Sequence, residues 1–265
     1  IVDQTTVLDL ALRYSSLEMD EVVITAETPL IRKDMTSTIS VVTREQIEAL
    51  PVTTFTELLQ LQAGVIGSGS NLHVRGGRSN EVAYLIDGMI VKDPLLGGLA
   101  TQLNNDAIQE MTLLSGTFNA EYGNALSGIV NIVTRDGSDY LSGRVEARTS
   151  EFGLARYSRL RENRVNASIS GPIFTKNLKY FISVEQDKRG SYLPFGYNKT
   201  QTFFTKLTSS HIPSMKMSLS TRGSSGKRQN YSHRYKYIPE QYLRIKTDSW
   251  QNIFNFTHTV ANNLF

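Results

Sequence analysis

Residues Asn71–Pro94 read NLHVRGGRSNEVAYLIDGMIVKDP, and residues Glu110–Gly137 read EMTLLSGTFNAEYGNALSGIVNIVTRDG. Short β-runs at Leu72–Arg75, Val82–Ile86, Met111–Leu114 and Ile129–Thr134 alternate with glycine-rich turns. Glycine reaches positive φ without steric cost, so this spacing predicts sharply turned strands in a small mixed domain. Asp87-Gly88 marks one such turn, and a strand is expected after it at Met89–Val91.

The residues upstream lead into this stretch. Thr38–Val42 reads as a strand. Thr43-x-x-Gln46 is a capping box that opens a short helix, stopped at Pro51. Thr54-x-x-Glu57 opens a second helix, with Phe55, Leu58, Leu59 and Leu61 near one face and Gly64 at its end.

From Ser138 the pattern changes to strict alternation. Val145, Ala147 and Thr149 alternate with Arg144, Glu146 and Arg148. Val165, Ala167 and Ile169 alternate with Asn166, Ser168 and Ser170. Leu178, Tyr180, Ile182 and Val184 do so with Lys179, Phe181, Ser183 and Glu185, and Met215, Met217 and Leu219 with Lys216, Ser218 and Ser220. Further strands are expected near Thr200–Ser209 and Asp248–Val260. Apolar-out, polar-in alternation over strands of about 10 residues is the pattern of a transmembrane β-barrel. A soluble β-sandwich gives similar alternation strand by strand, so the connections discriminate. Long ones (Glu151–Glu162, Lys188–Asn198, Ser224–Thr247) alternate with short ones (Gly171–Asn177, His211–Pro213, Ala261–Asn263). Outer-membrane barrels alternate short periplasmic turns with long external loops in this way. Phe152, Tyr157, Phe174, Tyr192 and Phe265 near strand ends suit interfacial aromatic girdles.

The segments VRGGRSNEVAYLIDG and SGTFNAEYGNALSGIVNIVT, in this order and at this spacing, resemble the plug of a TonB-dependent outer-membrane receptor. The resemblance runs from about Glu21 to the C-terminus and is firmest in the plug. It implies an α+β plug domain at residues 28–137, then antiparallel transmembrane β-barrel strands at 138–265. Residues 1–19 resemble the last strand of a small β-sandwich module that precedes the plug in some such receptors, although an ordinary N-terminal strand would read the same. Residues 20–27 hold Asp20, Glu21, Val22, Val23, Ile24, Thr25 and Ala26, which are similar to the TonB box. Its periplasmic energy-transducing partner would bind by β-augmentation, pairing backbone groups with a sheet edge. An ordinary edge strand is the other reading of that segment.

The plug carries a dense set of charges: Arg75, Arg78, Glu81, Asp87, Glu121, Arg135 and Asp136. The lumen wall around a plug is polar, so such charges can pair with it. The resemblance implies this role for Arg75 and Glu121, with Arg78 and Glu81 beside them. It places Arg78, Ser79, Asn80, Lys92, Asp93, Pro94 and Leu95 at the outward apex, facing an external ligand. The implied function is energy-coupled uptake of a scarce ligand in the outer membrane of a Gram-negative-type bacterium. Siderophore, cobalamin, oligosaccharide and peptide all remain open. Two other readings stand beside it: a receptor or assembly component that does not transport, and a soluble periplasmic binding module.

Six strands, with a seventh starting at Leu264, are fewer than the about 22 of a plugged transporter. Open sheet edges in hydrocarbon cost several kcal/mol per unpaired group. The expectation is that the chain continues beyond Phe265 or that another chain supplies strands.

Other classes fit poorly. There are no cysteines, which excludes a disulfide scaffold and a cysteine zinc site. No apolar run approaches the ~18 residues of a transmembrane helix, and residues 1–20 lack a signal-peptide pattern. The net charge of +3 is small for nucleic-acid binding. The basic, tyrosine-rich stretch Ser224–Thr247 suits lipid headgroups or ligand better. Neither Gly64–Ser70 nor Gly223–Lys227 matches a phosphate-loop spacing. His73, His211, His233 and His258 lie far apart, and no catalytic motif occurs. A non-enzyme without cofactor or metal is expected.

Overall fold

The computed structural model describes residues 37–68, 71–93, 98–116, 125–150, 161–212 and 214–260. The Asp20–Ala26 segment, the residues 1–19 module, Pro94, Leu95 and Glu121 lie outside them.

The chain opens with strand β1 (Ser37–Thr43), helix α1 (Arg44–Ala49) and helix α2 (Phe55–Gln60). Both helices start where the capping boxes place them. Gln46 Oε1 accepts from the Thr43 N–H at 3.0 Å, and the Glu57 N–H donates to Thr54 Oγ1 at 3.3 Å. The hairpin of β2 (Val65–Ser68) and β3 (Asn71–Val74) follows. Its first strand was not expected, because Gly-Ser composition hides it. Next come β4 (Val82–Ile86), β5 (Met89–Ile90), β6 (Ile108–Gly116) and β7 (Gly128–Thr134). Five of these strands form one sheet in the order β1-β6-β7-β4-β5, with β4 parallel to β7 and the other pairs antiparallel. β4 reads Val-Ala-Tyr-Leu-Ile and is buried at every position, as an inner strand covered on both faces must be. Asp87 (φ 50) and Gly88 (φ 80) turn β4 into β5, the left-handed pair that an Asp-Gly hairpin uses.

Six strands follow: β8 (Ser142–Thr149), β9 (Glu162–Ile173), β10 (Thr175–Gly190), β11 (Tyr197–Ile212), β12 (Met215–Gln229) and β13 (Arg244–His258). They form an antiparallel meander in chain order, with β8 and β13 at its edges. We call this sheet the wall. Its strands outrun the sequence expectation. β12 continues through Gln229 and β13 starts at Arg244, so Lys227, Arg228, Arg244 and Lys246 lie on strands rather than in the loop expected at Ser224–Thr247. Likewise the turn expected over Gly171–Asn177 shrinks to Phe174 (φ 58) between β9 and β10.

Alternation decides which wall face meets the plug. Asn166, Ser168, Ser170, Ser183, Thr202, Lys206, Thr208, Ser218, Ser220 and Arg222 are buried toward it. Val165, Ile169, Val184, Leu207, Met217, Leu219, Trp250, Phe254 and Phe256 are exposed on the other side. Ile253, the register partner of Ser220, is an apolar member of this polar inner face, and Phe181 and Phe204 are two more. Both are fully buried in the plug's main apolar cluster with Phe55, Leu58, Tyr84, Ile86 and Ile132.

Candidate functional site

The structure brings chemistry together where the plug sits on the polar wall. Lys206, on β11 between the inward Phe204 and Thr208, is the central group. Its Nζ lies 2.9 Å from Asp136 Oδ1 and 3.7 Å from Asp87 Oδ1. It also donates to the Thr134 carbonyl at 3.2 Å and to Thr134 Oγ1 at 3.1 Å. Asp87 is held for this contact by its own turn and by β7, accepting from the Thr134 N–H at 2.9 Å and from Thr134 Oγ1 at 2.5 Å. Asp136 takes a second cation, Lys216 Nζ at 2.9 Å, and accepts from Thr208 Oγ1 at 3.2 Å. Burial works to raise the Asp136 carboxyl, but hydrogen bonds and charge from Lys216 and Lys206 outweigh it and hold the group below the usual range.

Three further links lie along the same interface. Asn104 Nδ2 donates to Asn166 Oδ1 at 3.0 Å, and Asn166 Nδ2 donates to Asp106 Oδ2 at 2.7 Å. Arg189 Nη2 donates to Thr53 Oγ1 at 2.9 Å, and its Nη1 lies 3.8 Å from Glu57, the residue that also caps α2. Ser249 Oγ donates to Thr101 Oγ1 at 3.1 Å. Between α2 and the wall lies a cleft of about 360 Å³ lined by Thr53, Glu57, Gln102, Glu185, Asp187 and Arg189. The wall holds its own buried pair, Arg164 to Glu185 at 2.7 Å. Arg135 stacks its guanidinium 5.0 Å over the Phe181 ring, so this plug cation meets an aromatic face on the wall.

The arrangement forms a polar seat for the plug. It fastens one body to another through ion pairs, amides and hydroxyls. Among the described residues, no group of three or more His, Asp or Glu is placed to hold a metal ion, and no helix is long and apolar enough to cross a membrane.

Of the charges singled out in the sequence, Asp87, Asp136 and Arg135 meet the wall. Arg75 sits at φ 49 in the Val74–Gly77 turn and donates to Thr38 Oγ1 within the plug. The Arg78 N–H donates to Glu81 Oε2 at 3.0 Å, closing the turn before β4. The outward-apex set is brought partly together, since Lys92 Nζ donates to the Asn80 carbonyl at 2.5 Å. Ser79 lies with Asn80 in the same single 3₁₀ turn, and the Asp93 N–H donates to the Gly98 carbonyl at 2.7 Å. The wall partners Lys206, Lys216, Arg189 and Asn166 were missed. Alternation was the available signal: Lys206 is a lone cation at an inward position of FFTKLT.

The comparisons with known proteins agree with this geometry. Residues 32–129 match the TonB-dependent Receptor Plug Domain. The chain is 31% identical over 93 residues to the TonB-dependent transporter Oar of Myxococcus xanthus, covering 35% of this chain and 9% of that protein. It is 32% identical over 126 residues to the vitamin B12 transporter BtuB of Photobacterium profundum, covering 43% of this chain and 20% of that protein. The chain thus spans a fifth or less of the length of these curated relatives. Among solved structures, the siderophore receptor PirA of Acinetobacter baumannii superposes with a TM-score of 0.67 at 20% identity, over 81% of this chain and 37% of that one. FpvA of P. aeruginosa, solved bound to heterologous pyoverdines, gives 0.69 at 16% identity, over 86% and 32%. At these identities the likeness speaks for the fold, and it takes in the wall strands as well as the plug. Residues 32–129 thus carry the plug domain of TonB-dependent receptors, and the wall strands that follow share the fold of the solved receptors.

Proposed function

We propose that this chain is the plug and part of the barrel wall of a receptor that takes up a scarce external ligand by energy-coupled transport across the outer membrane of a Gram-negative-type bacterium. The observation that carries the reading is the chemistry of the seat. The Lys206–Asp136, Arg189–Thr53 and Asn104–Asn166 links are polar. Water can replace such partners when the plug moves, so displacement costs less than tearing an apolar interface of equal area. The names of relatives that transport vitamin B12 or bind siderophores support the class of function and leave the ligand of this chain open.

In this reading the ligand meets the plug apex at Arg78, Ser79, Asn80, Lys92, Asp93, Pro94 and Leu95. Arg75, Arg78, Glu81 and Glu121 pair with wall segments outside the described residues. A TonB-type partner pairs with Asp20–Ala26 and pulls. Among the described residues, the strand that follows this segment, β1, is a sheet edge whose ladder partner is β6, so force would strip it without first breaking the inner strands.

The test separates binding from uptake. Val23→Pro removes a backbone donor from the pulled segment. Uptake is expected to vanish while ligand binding at the cell surface persists. Normal uptake by the variant would sink the assignment.

A further inference from the structure

Residues paired across neighbouring strands point to the same face, so the outward side of the wall is laid out in rows. One row is Val184, Phe203, Gly223 and Trp250, each the register partner of the next. Two residues toward the long connections lies Gln186, Gln201, Ser225 and Asp248. Two residues further lies Lys188, Lys199, Lys227 and Lys246. Four ammonium groups thus stand side by side on four strands, all exposed. Like charges directly opposite one another repel. Lys246 has Asp248 at 2.7 Å, and Lys199 lies 5.3 Å over the Tyr197 ring. Among the described residues, Lys188 and Lys227 make no hydrogen bond or ion pair. The row carries more positive charge than the protein around it neutralises.

Beneath it the apolar surface is shaped. A Cβ on Gly223 would come within 2.7 Å of the Trp250 ring, so the indole lies down over the glycine. There it stacks with Phe203 at 6.3 Å between centroids and 14° between planes. An open cleft of about 450 Å³ runs along these residues, with Gln201, Ser225 and Asp248 along its lining. An apolar cleft running up to a cationic row fits an acyl chain with an anionic head. The height agrees. Ten residues separate Lys227 from Met217, roughly 33 Å along a strand. Tilted as barrel strands are, that is about 25 Å across the membrane, the thickness of the apolar band.

We propose that the row Lys188–Lys199–Lys227–Lys246 binds phosphate groups of an anionic lipid in the leaflet at the long-loop end of the wall, with an acyl chain in the Trp250–Gly223 cleft. This rests on the barrel reading above.

The test uses the full-length protein in phosphatidylcholine bilayers, with any tryptophan outside these 265 residues replaced by Phe. Bromine-labelled acyl chains are carried either on phosphatidic acid or on phosphatidylcholine, and quenching of Trp250 fluorescence is read. Quenching is expected at about tenfold lower mole fraction of the phosphatidic acid. The preference should vanish in the K188Q/K199Q/K227Q/K246Q variant and survive when the same four are changed to Arg. Equal quenching by both lipids, or a preference that survives in the Gln variant, overturns the proposal while leaving the barrel reading standing. Loss of the preference in about 50 mM inorganic phosphate, beyond what sodium chloride of equal ionic strength causes, marks a free-phosphate site and overturns the lipid assignment. Quenching by neither lipid means that this face does not meet the bilayer, and the barrel reading falls with it.

Discussion

Lys206, in the middle of a wall strand, and Asp136, two residues past the last plug strand, meet at 2.9 Å with the ammonium buried. The same ammonium reaches Asp87 and Thr134. One wall cation therefore ties together the β4–β5 turn, the end of β7 and the linker into the wall. Buried pairs of this kind are weak stabilisers relative to apolar replacements, but removing one partner strands the other.

Lys206→Met should therefore loosen the plug by about 3–5 kcal/mol, because Asp87 stays buried without its cation. Hydrogen exchange at the β7 amides should rise accordingly. The triple variant Lys206→Met, Asp87→Asn, Asp136→Asn should recover most of the loss. Equal protection in wild type and the single variant would show that the pair does not hold the plug.

Acid should release the same link. Burial acts to raise Asp136, but Lys216 and Lys206 together hold it below its ordinary 3.8. A depressed carboxylate gives stability that is complete above the unfolded value and is lost as pH falls through the lowered folded value. The fraction of plug unfolded at a fixed, moderate urea concentration should thus be flat from about pH 6 to 4.5 and rise steeply below pH 3.8. Asp136→Asn should remove that part of the rise, and an unchanged acid limb would count against the assignment.

Adjacent glycines in Arg75-Gly76-Gly77 should respond unequally to substitution. Gly76 has φ +79 and open space around a would-be Cβ, so Gly76→Asn should cost only a few tenths of a kcal/mol. A Cβ on Gly77 would fall 2.2 Å from Ser127 Cβ and 3.0 Å from Glu81 Oε2. Gly77→Ala should cost about 1–3 kcal/mol. Denaturant midpoints of the two variants decide, and equal midpoints would refute the distinction.

Gly137→Ala probes the junction between plug and wall. Its Cβ would lie 2.6 Å from the Tyr180 carbonyl oxygen and 2.7 Å from the Tyr180 nitrogen, backbone atoms that are locked into β10. We expect a loss of about 1–3 kcal/mol, seen as faster proteolysis between plug and wall. Wild-type resistance would mean the junction yields.

The local rules were readable wherever a few neighbouring residues decide the outcome. Two capping boxes placed both helix starts, and Asp87-Gly88 placed the hairpin. Alternation found four of the six wall strands and the two faces of each, and two more were expected near Thr200–Ser209 and Asp248–Val260. Strand ends were misjudged because Ser224–Gln229 is polar and holds Gly226 and Arg244–Thr247 is mostly polar, yet the two pair in full register. The seat was only half visible. Asp87 and Asp136 stood out as charges among apolar strands, but nothing local says that the third acid-bonding partner is Lys206 on a strand begun some 60 residues later. Arg75, for which the resemblance implies pairing with the wall, donates to Thr38 Oγ1 within the plug, a contact that no local pattern announces.

The order of the strands along the chain has a consequence for assembly. The five-stranded sheet is complete in sequence by Thr134, before the first wall strand begins at Ser142. Its outer strand β1 must wait for β6, whereas among the described residues each wall strand pairs with its sequence neighbours. Nearby pairings form quickly and distant ones slowly. The plug is therefore the slow, non-local step, and the wall can then add hairpin by hairpin against a finished surface, with Phe181 and Phe204 docking in turn as β10 and β11 arrive.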